Sequence, residues 1–385
     1  MRIFYLSTAL EEGDFAILSE KAIHKPNPAG QNFHDKLINA LSRFSSVESY
    51  SLIPSQEGWV KEKSFSPSST LRRHYLEGAS RKLPRFFLLP KSIERAIEKG
   101  CRDVGEGDVV CYDSLNLSLS KAAKLLKKRK GCKTIAILTD DPRNISGTKA
   151  FYQKRILANS SSCDGYFCLT EGLYRLFCKN GAPHLTKMGI VEGIGTMKSP
   201  LGKPYLYYGG ALFAKDGTNA LLKAYCLSKP NIDLLLAGHG PCEENCRIAS
   251  KQNPRIHFLG QISKKDHYAC LSNASLLINP RLYRESLDEV SIPSKVLEYL
   301  SSGRPILSTL STPIKESYSS SINWLSEEGG DPTLALGDWF TKHIGKDGSL
   351  IDVIPNESAG QVKADLGPDA IGEALTSFCR SLGSK

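Results

Sequence analysis

Short apolar runs alternate with stretches of helical periodicity along nearly the whole chain, and the series starts afresh near residue 200. The runs 3–6, 109–112, 134–138 and 165–169 precede that point; 205–208, 233–236, 255–259, 274–278 and 305–308 follow it. Between them, 32–43, 117–128, 172–177, 218–227 and 294–300 read as helices. Alternation at these lengths predicts an α/β fold of parallel sheets with helices on both faces. At 385 residues the chain is too long for one ordinary core and comfortable for two. A Gly/Pro-rich stretch, 192–204, separates the two series and predicts the boundary. The expected domains are 1–197 and 198–366, followed by an amphipathic C-terminal helix, 367–385, for which a return to the first domain is one docking.

Charge divides at the same place. Residues 1–200 carry 31 Lys+Arg against 20 Asp+Glu, whereas residues 201–385 carry 19 against 20. The first half therefore faces an anionic partner or surface and the second does not, a division unlike that of a uniformly basic nucleic-acid binder. No apolar run approaches the roughly 20 residues of a bilayer span, and the N-terminus turns polar at Ser7 without a signal-peptide cleavage site. The 11 cysteines are scattered and form no CxxC pair, so a reduced, cytoplasmic setting is expected. Arg81-Lys82-Leu83-Pro84-Arg85-Phe86-Phe87-Leu88-Leu89-Pro90-Lys91 mixes cations with large apolar groups. It suits either an anionic membrane surface or a buried Phe–Leu segment with solvated flanks. Lys127-Lys128-Arg129-Lys130 reads as a solvated helix end.

The densest chemistry lies in Pro293-Ser294-Lys295-Val296-Leu297-Glu298-Tyr299-Leu300-Ser301-Ser302-Gly303-Arg304-Pro305. Pro293 stands where a helix starts and Gly303 where one stops. Ser294 and Lys295 then offer first-turn N–H groups and a cation to an anion. Glu298, three residues on, shares their face and suits a ribose diol. The plainer reading is an exposed Lys295–Glu298 pair on a helix that packs through Val296, Leu297 and Leu300. Leu236-Ala237-Gly238-His239-Gly240-Pro241 and Tyr207-Tyr208-Gly209-Gly210 put glycines just past strands, where an α/β sheet opens its ligand crevice. Each alone also reads as a plain turn.

Taken in order, these segments resemble the donor domain of family 4 glycosyltransferases, which have the GT-B fold of two Rossmann-like domains facing each other across a cleft. The resemblance runs from Tyr205-Leu206-Tyr207-Tyr208-Gly209-Gly210 through Phe258-Leu259-Gly260 to Arg304-Pro305. It implies a ribose-binding role for Glu298 and a diphosphate-binding role for Ser294 and Lys295. It brings the Gly209-Gly210 turn to the same diphosphate and Gly238 and Gly240 near the base. The implied chemistry needs no metal, consistent with the lack of an Asp-x-Asp pair; Asp140-Asp141 are adjacent. Two features depart from the family pattern. The glutamate expected eight residues before Glu298 is Val290, with Glu289 out of register and Glu285 farther off. The clamp cations expected at Ala211 and Asp216 are absent there, leaving Lys215, one position early, and Arg281 as replacements.

The first half resembles the family less closely. Pro28-Ala29-Gly30-Gln31-Asn32 is similar to its cleft loop, with Gly30 allowing close approach and Asn32 either a cleft residue or a helix cap. Asp140 or Asp141, ending a strand, suits either an acceptor hydroxyl or a helix N-cap. His184 and His239 read as satisfying local hydrogen bonds. The resemblance implies a retaining enzyme that moves a sugar from a nucleotide diphosphate sugar to a glycan or polyprenyl-linked glycan hydroxyl in cell-envelope, capsular or exopolysaccharide synthesis. Lys295, Arg281 and Asp140 are its expected catalytic residues, and the inner face of the cell membrane is a peripheral location for it. Two alternatives stand beside it: a nucleotide-sugar epimerase on the same fold, and a non-catalytic binding module for nucleotide sugars or membrane surfaces.

Overall fold

The computed structural model describes residues 1–21, 28–53, 60–77, 82–99, 104–144, 149–284, 288–325 and 331–383, with backbone alone for 82–88. The chain forms two compact units, Met1–Ile190 with Pro368–Lys385, and Val191–Gly367.

The first unit is built on an eight-stranded sheet of β1 (Ile3–Ser7), β2 (Val47–Ile53), β3 (Lys63–Phe65), β4 (Leu71–Glu77), β5 (Val109–Asp113), β6 (Lys133–Leu138), β7 (Gly165–Cys168) and β8 (His184–Thr186). Its helices are α1 (Glu12–Lys21), α2 (Pro28–Ser42), α3 (Lys82–Lys99), α4 (Leu117–Lys130), α5 (Ala150–Ser160) and α6 (Glu171–Phe177). The strand order is β3-β4-β2-β1-β5-β6-β7-β8, parallel except for the β3–β4 pair. Its central six follow the doubly wound order, which reverses between β1 and β5 and opens a crevice at their carboxyl ends.

The second unit repeats that plan with β9 (Tyr205–Ala211), β10 (Asp233–His239), β11 (Ile256–Phe258), β12 (Leu276–Asn279), β13 (Ile306–Ser308) and β14 (Asn323–Trp324). The order β11-β10-β9-β12-β13-β14 is parallel throughout and reverses between β9 and β12. Around it lie α7 (Thr218–Ser228), α8 (Glu243–Gln252), α9 (Lys264–Asn273), α10 (Ser294–Ser301), α11 (Thr312–Tyr318), α12 (Thr333–His343) and α13 (Ala359–Leu366). Strands covered on both faces read as continuous apolar runs. Accordingly Ile3 to Leu6 and Leu234 to Leu236 are fully buried.

The last helix, α14 (Pro368–Gly383), packs on α2 within the first unit. Ile371, Leu375, Cys379 and Leu382 fall on one helical stripe and are buried. Gly372 lets the two backbones meet, since a Cβ there would overlap the carbonyl of Ala40. Asp369 pairs with Arg43 at 2.7 Å.

Several expectations change. The spacing missed β2 and β4 because both carry polar residues inward: Glu48 and His74 are nearly buried, and Arg73 is 1% exposed, paired with Asp35 at 2.6 Å. The segment expected as a cleft loop is the first turn of α2, so Gly30 and Asn32 lie inside a helix and Asn32 caps nothing. The lysine-rich end of α4 is more than solvated: Lys127 pairs with Asp164 at 2.9 Å, Arg129 with Glu94 at 2.8 Å and Lys130 with Glu98 at 3.2 Å. Arg81 and the side chains of 82–88 in the candidate membrane segment, and Glu285 near the expected glutamate position, lie outside what is described. Among the described residues no helix is long and apolar enough to cross a membrane.

Candidate functional site

In the second unit the reversal between β9 and β12 brings four segments to one edge of the sheet. They are the glycine turn ending β9, the end of β10, the Pro280-Arg281 exit from β12 and the first turn of α10. Pro293 precedes α10 with extended backbone, and Ser294 and Lys295 open it. The first turn of a helix presents N–H groups that its own carbonyls cannot satisfy. Val296, Leu297, Tyr299 and Leu300 are buried, and this packing fixes where Ser294, Lys295 and Glu298 project. Ser294 is exposed, while Lys295 and Glu298 are half-buried.

Lys295 reaches back to β9. Its Nζ donates to Tyr208 Oη at 3.0 Å and sits over the same ring at 4.2 Å from the centroid. Tyr208 in turn donates to the carbonyl of Ala211 at 2.8 Å, pinning the turn. Burial holds the Lys295 ammonium below its usual pKa; Tyr299 and Asp216 oppose that shift, and the charge of Arg281 adds to it. Two cations that repel each other beside a helix start are relieved when an anion arrives. Arg281 Nη2 donates to Ser291 Oγ at 3.2 Å, and its carbonyl accepts from Thr309 Oγ1 at 2.6 Å. Near it Asn279 Oδ1 and Ser311 Oγ are buried without a partner among the described residues.

The glycines divide by role. Gly210 adopts φ 133°, and a Cβ built there would lie 3.5 Å from Lys295 Nζ, so the turn runs directly beside the ammonium. Gly238 adopts φ 143°, and its Cβ would overlap the Gly210 carbonyl; the end of β10 is thus glycine so that β9 can turn. Gly240 similarly abuts the Leu212 carbonyl. Lys215 is exposed on the short turn Ala214–Asp216, its ammonium 5.7 Å from the Phe213 ring centroid. Val290 is buried, Glu289 is exposed, and neighbouring Asp288 accepts from the Thr312 N–H at 2.9 Å to hold the start of α11.

In the first unit Asp140 lies two residues past the end of β6, where its Oδ1 accepts from the Asp141 N–H at 2.7 Å and Asn144 Nδ2 at 3.3 Å. Asp141 is locked by Arg143 at 2.6 Å and accepts the Arg143 N–H at 2.8 Å, which makes it the cap of the short turn that follows. Gly30 has open space where a Cβ would stand, and Asn32 is exposed. Residues that spacing did not single out fill the β1–β5 crevice instead. Tyr5 Oη lies 2.7 Å from His34 Nδ1, His34 Nε2 lies 3.7 Å from Asp113, and Gln31 Oε1 accepts from the Leu10 N–H at 2.8 Å. His184 and His239 meet Glu171 at 3.1 Å and Glu243 at 2.7 Å.

A cavity of about 810 Å³ lies elsewhere in the second unit, between α7 and α8. Among its carboxamides, Asn245 donates to Asn219 at 2.9 Å, and Asn231 donates to the carbonyl of Lys346 at 2.6 Å. The converging cations and glycine turns are at the other place, the carboxyl edge.

Residues 203–334 match the family model described as Glycosyl transferases group 1. No curated protein matches the chain. Among solved structures, sucrose-phosphate synthase from Thermosynechococcus elongatus aligns at TM-score 0.68 and 12% identity over 100% of both chains. α,α-Trehalose 6-phosphate synthase from Burkholderia multivorans aligns at TM-score 0.66 and 9% identity, over 100% of this chain and 97% of that one. Anabaena HepE in complex with UDP and glucose aligns at TM-score 0.65 and 9% identity, over 99% and 100%.

Proposed function

From the match of residues 203–334 to the group 1 glycosyltransferase model and the likeness of the fold to GT-B structures, we propose that this chain is a glycosyltransferase that moves a sugar, with retention of anomeric configuration, from a nucleoside diphosphate sugar to a hydroxyl of a glycan or lipid-linked glycan. Its place would be in cell-envelope, capsular or exopolysaccharide assembly. The observation that carries the proposal is the convergence of Lys295, the start of α10 and the Gly210 turn on one point, with Arg281 close enough to perturb Lys295. That arrangement suits a diphosphate, whose charge grows as the glycosidic bond breaks. Lys295, the first-turn N–H groups and Arg281 would stabilise the departing group, with Tyr208 holding Lys295 in place. Cationic side chains then do the work that a divalent ion does in other transferases, so a chelator should leave turnover unchanged. Uridine is the first base to test, since the HepE structure contains UDP.

Glu298, one turn along α10, would accept hydrogen bonds from the ribose diol. Bonds to a charged group contribute about 1.5–3 kcal/mol. Glu298→Ala should therefore weaken donor binding roughly 10- to 150-fold. Wild type should prefer a ribose donor over its 2′,3′-dideoxy counterpart, and the variant should lose that preference. A folded Glu298→Ala that keeps both affinity and preference would remove Glu298 from the site. Nucleotide release measured with and without acceptor, alongside sugar isomerisation, separates a transferase from an epimerase and from a binding module.

A further inference from the structure

We propose that His267 is a positioning residue for Glu298, tying the carboxylate on α10 to the glycine turn of β9. The inference rests on the reading of Glu298 as the ribose ligand and extends it to a residue outside the motif. Ser263 caps α9, accepting from the Asp266 N–H at 3.1 Å and donating to Asp266 Oδ2 at 2.7 Å. One turn later the His267 ring stands between β9 and α10. Its Nδ1 is 2.8 Å from Tyr207 Oη, and its Nε2 is 3.5 Å from Glu298 Oε2.

The pattern of partners selects a tautomer. Burial keeps the Tyr207 phenol protonated, so it has a hydrogen to give to Nδ1. The imidazole hydrogen then sits on Nε2 and faces the carboxylate. The other tautomer would set a nitrogen lone pair against a negative oxygen. At 3.5 Å the contact is longer than a strong hydrogen bond. It orients Glu298 electrostatically, and a carboxylate with about four lone-pair sites still accepts a ribose diol.

The same ring packs against the glycine turn of β9. A Cβ on Gly209 would stand 2.5 Å from Tyr207 Oη and 2.8 Å from His267 Cε1, so glycine is required there by packing. The Gly209 N–H donates to Tyr299 Oη at 3.2 Å, and Tyr299 is the neighbour of Glu298 on α10. Turn, imidazole and carboxylate are thus one packed unit, and the two halves of a nucleoside diphosphate would be recognised together.

The test uses the full chain and the tightest binder among uridine, guanosine and adenosine diphosphates, with its 2′,3′-dideoxy counterpart, followed by calorimetry. His267→Leu should raise the dissociation constant about two- to twelvefold, the span of an ordinary hydrogen bond, and should narrow the preference for ribose. His267→Gln, whose amide reaches the Nε2 position, should restore both; His267→Asn, which reaches only the Tyr207 side, should not. In the Glu298→Ala background His267→Leu should add nothing. Additive losses, or an Asn variant equal to Gln, would overturn the positioning role while leaving Glu298 in place. A silent Glu298→Ala would remove both assignments.

Discussion

Lys295 carries two demands at once, a charge for the diphosphate and a half-buried position against Tyr208. Burial holds its pKa below the usual lysine value, so its charge is lost on the alkaline side earlier than for an exposed lysine. Donor affinity should fall as pH rises through that lowered pKa. Lys295→Arg, whose guanidinium stays charged, should flatten the alkaline limb, and Lys295→Ala should cost roughly 10- to 150-fold in affinity at neutral pH. Isothermal titration at several pH values checks both; a Lys295→Arg profile that falls as steeply as wild type would assign the limb to another group. The residues of the 293–305 segment were legible because capping, spacing and charge are local properties. Tyr208, Tyr207 and His267 were not, because their contacts join positions 87 and 60 residues apart.

Elements show where local pattern and packing part company. β4 carries Arg73 and His74 into the sheet, so its apolar signal is broken although its neighbours bury it. Burial, assisted by the charge of Arg72, pushes His74 down to about 4 from 6.5. Between those values the unfolded chain binds a proton that the folded chain refuses. Stability should therefore fall as pH drops from 6.5 towards 4, and His74→Gln should remove that part of the slope. Urea midpoints across that range measure it. Docking of α14 on α2 offers a second test. Gly372→Ala would drive a methyl into the Ala40 carbonyl and should cost about 1–3 kcal/mol. Gly337→Ala in α12, where nothing lies within 4 Å, should instead stabilise by about 0.5–1 kcal/mol. Equal midpoint shifts in the two variants would show that helix contact does not limit position 372.

For the whole molecule the net charge is +10, made of −1 from residues 201–385 and +11 from residues 1–200. An acceptor carried on an anionic membrane would bring that half to the bilayer. Sedimentation with anionic liposomes should then weaken with salt, since exposed charges are screened over about 8 Å at physiological ionic strength. Replacing Arg81, Lys82, Arg85 and Lys91 by glutamine should weaken it further; unchanged sedimentation would show that this segment does not reach lipid. Parts of the basic surface are already answered internally, as at the end of α4, where Lys127, Arg129 and Lys130 pair with acidic neighbours. Formal charge therefore overstates what that helix offers a membrane.

The βα alternation, the restart near residue 200 and the helix that opens at Ser294 are legible in the amino-acid order, because burial on both faces of a strand and the capping of a helix leave signatures in neighbouring residues. Which side chains come together depends on tertiary packing. The β9–β12 reversal sets the glycine turn beside Lys295, and the packing of α9 and α10 brings His267 to Glu298. In the first unit it placed His34 against Asp113 and turned the expected cleft loop at Gly30 into the first turn of α2. The physical reason is common to these cases: a periodicity records which face of an element is buried, whereas a side chain's partner depends on how two distant elements cross, and no local pattern encodes that crossing.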